Sequence, residues 1–238
     1  KRERIDKILS NLGYGSRNEI KSYVKAGRVR IGDEIIRDNS IKVDPMEEDV
    51  YFDGEKVYYR EFIYLMINKP KGVVSSTDDP ISRTVLDLID NSYLAFKPHP
   101  VGRLDKDTEG LLIISNDGKL SHELLSPKKK VQKTYYVEVD GYLDEKYLDV
   151  FQSGIVLDDG YKTKPATLKI IESGYISKAY LTISEGKYHQ VKRMFESLQM
   201  KVIYLKRISM GTIMLDENLQ PGEYRELTEE EVLHLKKC

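Results

Sequence analysis

Cysteine is nearly missing from this chain: the single one, Cys238, is the last of 238 residues. No intrachain disulfide and no cysteine metal cage can be built from it, which fits a reducing compartment. Long apolar runs are missing too. No stretch approaches the roughly 18 apolar residues of a membrane-crossing helix. The opening Lys1-Arg2-Glu3-Arg4 leads into a polar segment without the apolar core of a signal peptide. The expectation is a cytoplasmic protein that does not engage a membrane. Several motifs are also absent: His-Glu-x-x-His, Gly-x-x-x-x-Gly-Lys-Ser/Thr, Gly-x-Gly-x-x-Gly and Gly-x-Ser-x-Gly. Their absence argues against zinc, nucleoside-triphosphate and dinucleotide chemistry, and no cofactor is expected. With 32% charged and 40% hydrophobic residues, the chain has the make-up of a globular protein, not a disordered one. Its length can bury a core without covalent staples.

Net charge is small as well, −1, and by itself argues against a nucleic-acid binder. The distribution says otherwise. Residues 1–30 carry nine Lys/Arg against three acids, a local +6, whereas residues 216–231 carry seven acids against Arg225 alone. Local fields, not the total, attract phosphate.

In the basic segment Ile5, Ile8, Leu9 and Leu12 share one face of a short helix, which Gly13 and Gly15 break. Ser16 opens a capping box closed by Glu19. A second helix buries Ile20, Tyr23 and Val24 and stops at Gly27. Val29 and Ile31 then form a strand that turns at Gly32-Asp33 into a return strand. Arg17, Lys21, Lys25 and Arg28 follow at i, i+4, i+8 and i+11, a stripe opposite the apolar face. An ordinary solvated face is one reading. Glu19 is the only acid between Gly15 and Arg30, however, so no i,i+4 pairs neutralise the stripe, and a phosphate-contacting surface is the better one.

Residues 44–61 mix charge and turn residues and mark a boundary, predicting a module over 1–60 and a second domain over 61–238. In the second, Phe62–Ile67 and Leu111–Ile114 read as apolar strands, Tyr135, Val137 and Val139 share one strand face, and Leu181 and Ile183 start another strand. Val191, Met194, Phe195 and Leu198 have helical spacing, and Asp117-Gly118, Asp140-Gly141 and Asp159-Gly160 mark turns. Many strands, few helices and no βαβ alternation predict an α+β protein with a largely antiparallel sheet.

Two polar clusters could carry chemistry. In Gly102-Arg103-Leu104-Asp105-Lys106-Asp107-Thr108-Glu109-Gly110, charges are wedged against a buried strand, which costs free energy unless they are used or paired. A polar surface turn, a metal site built from the alternating Asp105, Asp107 and Glu109, and one working carboxylate held by a cation are the competing readings. In Glu185–Phe195 the apolar positions put His189, Lys192 and Arg193 on the flank and outer face of a helix start. That is either a basic surface helix or an anion-binding one.

Taken in order, these stretches resemble the RsuA-type pseudouridine synthases, which carry an N-terminal S4 RNA-binding module. Residues 3–45 resemble the S4 pattern of two short helices and a hairpin. Met66-Ile67-Asn68-Lys69-Pro70-Lys71-Gly72, Ser75–Pro80 and Thr84-Val85-Leu86 form a second match. Gly102-Arg103-Leu104-Asp105 through Thr108-x-Gly110-Leu111 is a third, and Lys133-Thr134-Tyr135 with Glu185–Phe195 a fourth. Lys164-Pro165-Ala166 and Pro221–Arg225 add to them, so the resemblance covers essentially the whole chain.

The resemblance implies isomerisation of uridine to pseudouridine in ribosomal RNA without a cofactor, by a monomer. Tyr188-His189-Gln190-Val191-Lys192-Arg193 is similar to the branch acting on small-subunit (16S) rRNA; the large-subunit branches carry Asn-Arg in place of His-Gln. It further implies Asp105 as the essential carboxylate, Lys192 as the cation that keeps a buried Asp105 ionised, and Tyr135 as the ring that stacks the extruded uracil. Arg103, His189 and Arg193, with the Arg17, Lys21, Lys25 and Arg28 stripe, are expected to contact RNA, and Asp107 and Glu109 to shape the loop. The alternatives are a large-subunit synthase of the same family, a ribosome-assembly factor that binds rRNA without catalysis, and a metal-dependent nuclease.

Overall fold

The computed structural model describes residues 1–238, and they divide into two compact units, 1–63 with 90–98 and 64–89 with 99–238. The insertion of 90–98 into the first unit had no signature in the sequence.

In the first unit β1 (Glu3–Arg4) leads into α1 (Ile5–Asn11) and α2 (Arg17–Lys25), followed by β2 (Val29–Ile31), β3 (Glu34–Ile35), β4 (Lys42–Val43), β5 (Val50–Phe52) and β6 (Glu55–Lys56). The short helix α3 (Asn91–Leu94), capped by the Asp90 carboxylate, completes it. Strand β2 lies between β3 and β5, and β1 pairs with β4. The expected capping box forms: Ser16 Oγ accepts from Glu19 N, and Ser16 N donates to Glu19 Oε2. Ile5, Ile8 and Leu9 of α1 close on Ile20 and Val24 of α2 and on Val29 and Val50 of the sheet. Each such side chain contributes roughly 1.5–3 kcal/mol by leaving water. The unit is therefore held by a small apolar core, which leaves the outer face of α2 free for charge.

The second unit is built on one large mixed sheet. Its strands are β7 (Tyr64–Lys69), β8 (His99–Val101), β9 (Glu109–Ser115), β10 (Lys133–Asp140), β11 (Thr167–Glu172), β12 (Ile176–Ile183), β13 (Lys201–Met210), β14 (Ile213–Met214) and β15 (Tyr224–Glu226). The order is β11-β12-β10-β13-β9-β7-β15, with β14 on β13 and β8 on β9. Every pairing is antiparallel except β9 with β13, where Gly110 lies beside Arg207. Gly110 has φ +108°, and a Cβ there would sit 2.2 Å from the Arg207 carbonyl oxygen. No other residue lets the two strands approach at this point.

Strands β7 and β9 are buried along nearly their whole length, which is why Leu111–Ile114 reads as a continuous apolar run. Against one face pack α4 (Gly118–Leu125) and α7 (Glu229–Lys236), through Leu120, Leu124 and Leu235. Helix α4 corrects the sequence reading of Asp117-Gly118 as a turn. The Asp117 carboxylate accepts from Leu120 N and caps the helix. Strand β10 keeps the predicted alternation, with Tyr135, Val137 and Val139 buried. Helices α5 (Lys146–Ser153) and α6 (Gln190–Glu196) meet through Phe151 and Phe195, ring centroids 5.1 Å apart. Truncating Phe195 would cost about 3–5 kcal/mol, so α6 is a firm support for what it carries.

Candidate active site

The loop 102–108 between β8 and β9 presents Asp105, and a second loop clamps it from both sides. Ser75 Oγ accepts from Leu104 N and donates to Leu104 O, both at 3.0 Å. One residue beyond Asp105, Lys106 O accepts from Gly72 N at 2.8 Å and from Lys69 Nζ at 3.2 Å. Lys69 is fully buried, and its ammonium also donates to Val73 O and Pro70 O. Burial pulls its pKa down to about 8, against the carboxylates of Asp107, Glu109 and Asp105. Asp105 is thus set between two residues whose main chains are anchored from the 69–75 loop. Fixing the backbone this way leaves the carboxylate free to face the cleft.

Helix α6 supplies the groups opposite. Lys192 Nζ lies 3.2 Å from Asp105 Oδ2 and 2.7 Å from Asp107 Oδ1. Burial works against the lysine's charge, but the two carboxylates outweigh it and hold its pKa above the ordinary lysine value. The same contact holds Asp107 below the usual carboxylate range. His189 Nε2 is 3.4 Å from Asp105 Oδ1. His189 adopts the left-handed conformation, φ 47°, in a turn closed by Gln190, whose amide oxygen accepts from Lys187 N. Exposed Tyr188 stacks on the imidazole at 3.8 Å. Arg103, Leu104, Asp105, Tyr135, Ile183, Lys192 and Leu205 line one pocket. Charged Arg103, Asp105 and Lys192 share it with apolar Leu104, Ile183 and Leu205 and the ring of Tyr135.

The chain is similar to known proteins along its whole length. The profile of the RNA pseudouridylate synthase family matches residues 63–197, and that of the S4 domain matches 3–49. An uncharacterized RNA pseudouridine synthase of Bacillus subtilis is 53% identical over 98% of this chain and 97% of that protein. The ribosomal small subunit pseudouridine synthase A of Yersinia pestis is 43% identical over 96% of each. A crystal structure of a pseudouridylate synthase superposes with a TM-score of 0.69 at 39% identity, covering 98% of this chain and 99% of the other. The chain belongs to the RNA pseudouridylate synthase family. It is a pseudouridine synthase with an N-terminal S4 domain.

The synthase brings Asp105, Tyr135, Lys192, Arg103 and His189 to one pocket. Other expected site residues are placed differently. Asp105 is not buried: its side chain is 32% exposed, against 19% for Lys192, so the cation is the more enclosed partner. Arg193 does not line the pocket. It binds Asp158 Oδ1 through Nε and Nη2 and reaches Asp159 Oδ2 at 2.9 Å, tying α6 to the 156–162 turn. Arg28 lies beyond the end of α2 and pairs bidentately with Asp53, over the rings of Tyr23 and Phe52. The stripe on α2 is therefore Arg17, Lys21 and Lys25, all exposed and free of ion pairs. Asp107 shares the lysine with Asp105, while Glu109 accepts from Tyr204 OH at 2.6 Å. The three acids read as a metal set do not converge.

Lys69 and Ser75 were missed as site residues. Their only signal is the match of 66–80 to the family pattern, because neither touches the pocket. Ser75→Ala removes both bonds to Leu104 and leaves its main-chain groups without a partner, a loss of about 1–3 kcal/mol. We expect a melting temperature several degrees lower and a fall in the turnover rate larger than any change in KM. Unchanged turnover at saturating RNA would remove Ser75 from the support of Asp105.

Proposed function

We propose that this synthase isomerises uridine to pseudouridine at a defined position of 16S rRNA, with Asp105 as its essential carboxylate. The observation that carries the proposal is Asp105 at the mouth of a pocket with Lys192 Nζ 3.2 Å away and Tyr135 among its walls. The names of relatives 40–43% identical, ribosomal small subunit pseudouridine synthase A, support the choice of RNA, as does the His189-Gln190 pair.

The reaction detaches uracil from its N1 bond to ribose, turns it and rejoins it through C5. The uridine first leaves the stack, at a cost of a few kcal/mol, which phosphate contacts offset. Single-stranded or looped rRNA lowers that cost. Asp105 then acts on the sugar as nucleophile or base, Lys192 pairs with its carboxylate, and Tyr135 stacks the free uracil. Arg103 contacts phosphate or fills the vacated stack. In this reading the module over 1–60 binds rRNA and residues 61–238 perform the chemistry. Chemical mapping of pseudouridine in 16S rRNA from cells with and without the gene tests it. A site that disappears on deletion and returns with wild-type protein is the expected result; an identical map in both would overturn it.

The exposed stripe on α2 makes a separate prediction. Replacing Arg17, Lys21 and Lys25 together with Gln should flatten the salt dependence of rRNA affinity by roughly 0.7–0.9 in log–log slope for each phosphate that the stripe neutralises. An unchanged slope, measured by filter binding across a potassium chloride series, would make the stripe a solvated face.

A further inference from the structure

A second concavity, about 410 Å³, opens beside the pocket and shares Arg103, Tyr135, Gly186 and Lys187 with it. Its remaining walls include Lys133, Lys164 and Arg207. The one carboxylate among its lining, Glu185, is held by neutral donors of the same walls: Oε1 accepts from Tyr161 OH and Oε2 from the main-chain N–H of Lys164, both at 2.6 Å. None of Lys133, Lys164 and Arg207 forms an ion pair. Arg207 is 3% exposed and donates Nε to Leu111 O at 2.9 Å, while its buried Nη2 has no partner within the protein. Burial, then the nearby Arg207 and Lys164 charges, hold the Lys133 ammonium below the ordinary lysine range. Three cations gathered against the single carboxylate of Glu185 leave an excess of positive charge that costs free energy in the free protein, and an anion entering the cleft would recover it.

We propose that Lys133, Lys164 and Arg207 form a subsite for a backbone phosphate of the RNA strand, next to the nucleotide held at Asp105. The subsite rests on the functional reading above, since a flipped nucleotide in the pocket keeps its flanking phosphates outside. The shared walls Arg103 and Lys187 join the two concavities, so a strand can occupy both. Held here, the phosphate fixes how far the nucleotide can slide and supplies attraction that offsets unstacking.

The test uses the full-length protein with a 16S rRNA transcript, comparing wild type, the double variant Lys133→Gln/Lys164→Gln and the charge-keeping double variant Lys133→Arg/Lys164→Arg. Arg207 is left intact because its burial makes a variant there prone to misfold. Affinity is measured across a potassium chloride series, and melting curves accompany it. The Gln pair should have a slope shallower by at least about 0.7, the equivalent of one single-stranded phosphate. That corresponds to about fivefold weaker binding at 0.1 M salt, with the wild-type melting temperature kept, and the Arg pair should restore the slope. A Gln pair with the wild-type slope overturns the subsite, and so does an Arg pair that fails to recover it. Wild-type protein that binds the transcript but forms no pseudouridine would instead overturn the functional reading while leaving the slopes to judge the subsite.

Discussion

Asp105→Asn should abolish pseudouridine formation while leaving RNA affinity and melting temperature near wild type. The single-turnover rate should fall by more than about a thousandfold, the scale on which removal of an essential nucleophile or base is felt. Both carboxylate oxygens face side chains, His189 on one and Lys192 on the other, whereas the anchoring bonds of the loop run through Leu104 and Lys106. The amide keeps the shape and removes only the charge. Lys192 does not become an orphaned buried cation, because Asp107 remains 2.7 Å away. Lost activity would therefore reflect lost chemistry, not a collapsed loop. The measurement is the rate of isotope release or base conversion at saturating 16S rRNA, beside a binding isotherm. Turnover within tenfold of wild type would sink the assignment of Asp105.

How much of this could be read in the chain depended on the range of the interaction. Local signals were legible: the Ser16–Glu19 box, the Val137–Val139 alternation and the apolar run at Leu111–Ile114 each follow from neighbours in sequence. The family resemblance carried the loop of Asp105 and the helix of Lys192 to one site, although 87 residues separate them. What stayed hidden was set by tertiary partners. Nothing near Arg193 announces Asp158 and Asp159 across from it, and nothing near Arg28 announces Asp53. Both arginines therefore looked free for RNA and are engaged within the fold. Lys69 was equally opaque. A lysine in Asn-Lys-Pro-Lys-Gly reads as a turn residue, yet it is fully buried on three carbonyls. Asp117-Gly118 misled in another way: a dipeptide that marks turns also caps helices, and only the packing of Leu120 and Leu124 decides for the helix.

Lys192→Met should lose activity, most of all on the acid side of neutrality, and recover part of it as pH rises. In the wild type one ammonium serves two carboxylates, Asp105 at 3.2 Å and Asp107 at 2.7 Å. Without it, two neighbouring acids face each other with no cation between them, and like charges resist ionising together. The acid limb of the rate profile should therefore move to higher pH.

Stability is followed beside that shift. Lys192 holds Asp107 below its usual range, so this pair stabilises the fold above the unfolded carboxylate value of about 4 and loses that effect as pH falls through the lowered one. The raised pKa of Lys192 contributes below the unfolded lysine value of about 10.4 and is lost as pH rises beyond it. Between roughly pH 5 and 9 both contributions are constant in the wild type, whereas acids left without their cation give the variant's stability a slope there, so a melting temperature recorded at each pH accompanies the rates. A rate that slopes while the protein stays fully folded reports the site. Lys192→Arg should keep more activity and an acid limb closer to wild type, because the cation remains although its planar fork differs from an ammonium. Single-turnover rates from pH 5 to 9 for wild type and both variants make the comparison. Wild-type rates with an unshifted acid limb in Lys192→Met would release Lys192 from the role and leave His189, 3.4 Å from Asp105 Oδ1, as the group that holds the carboxylate.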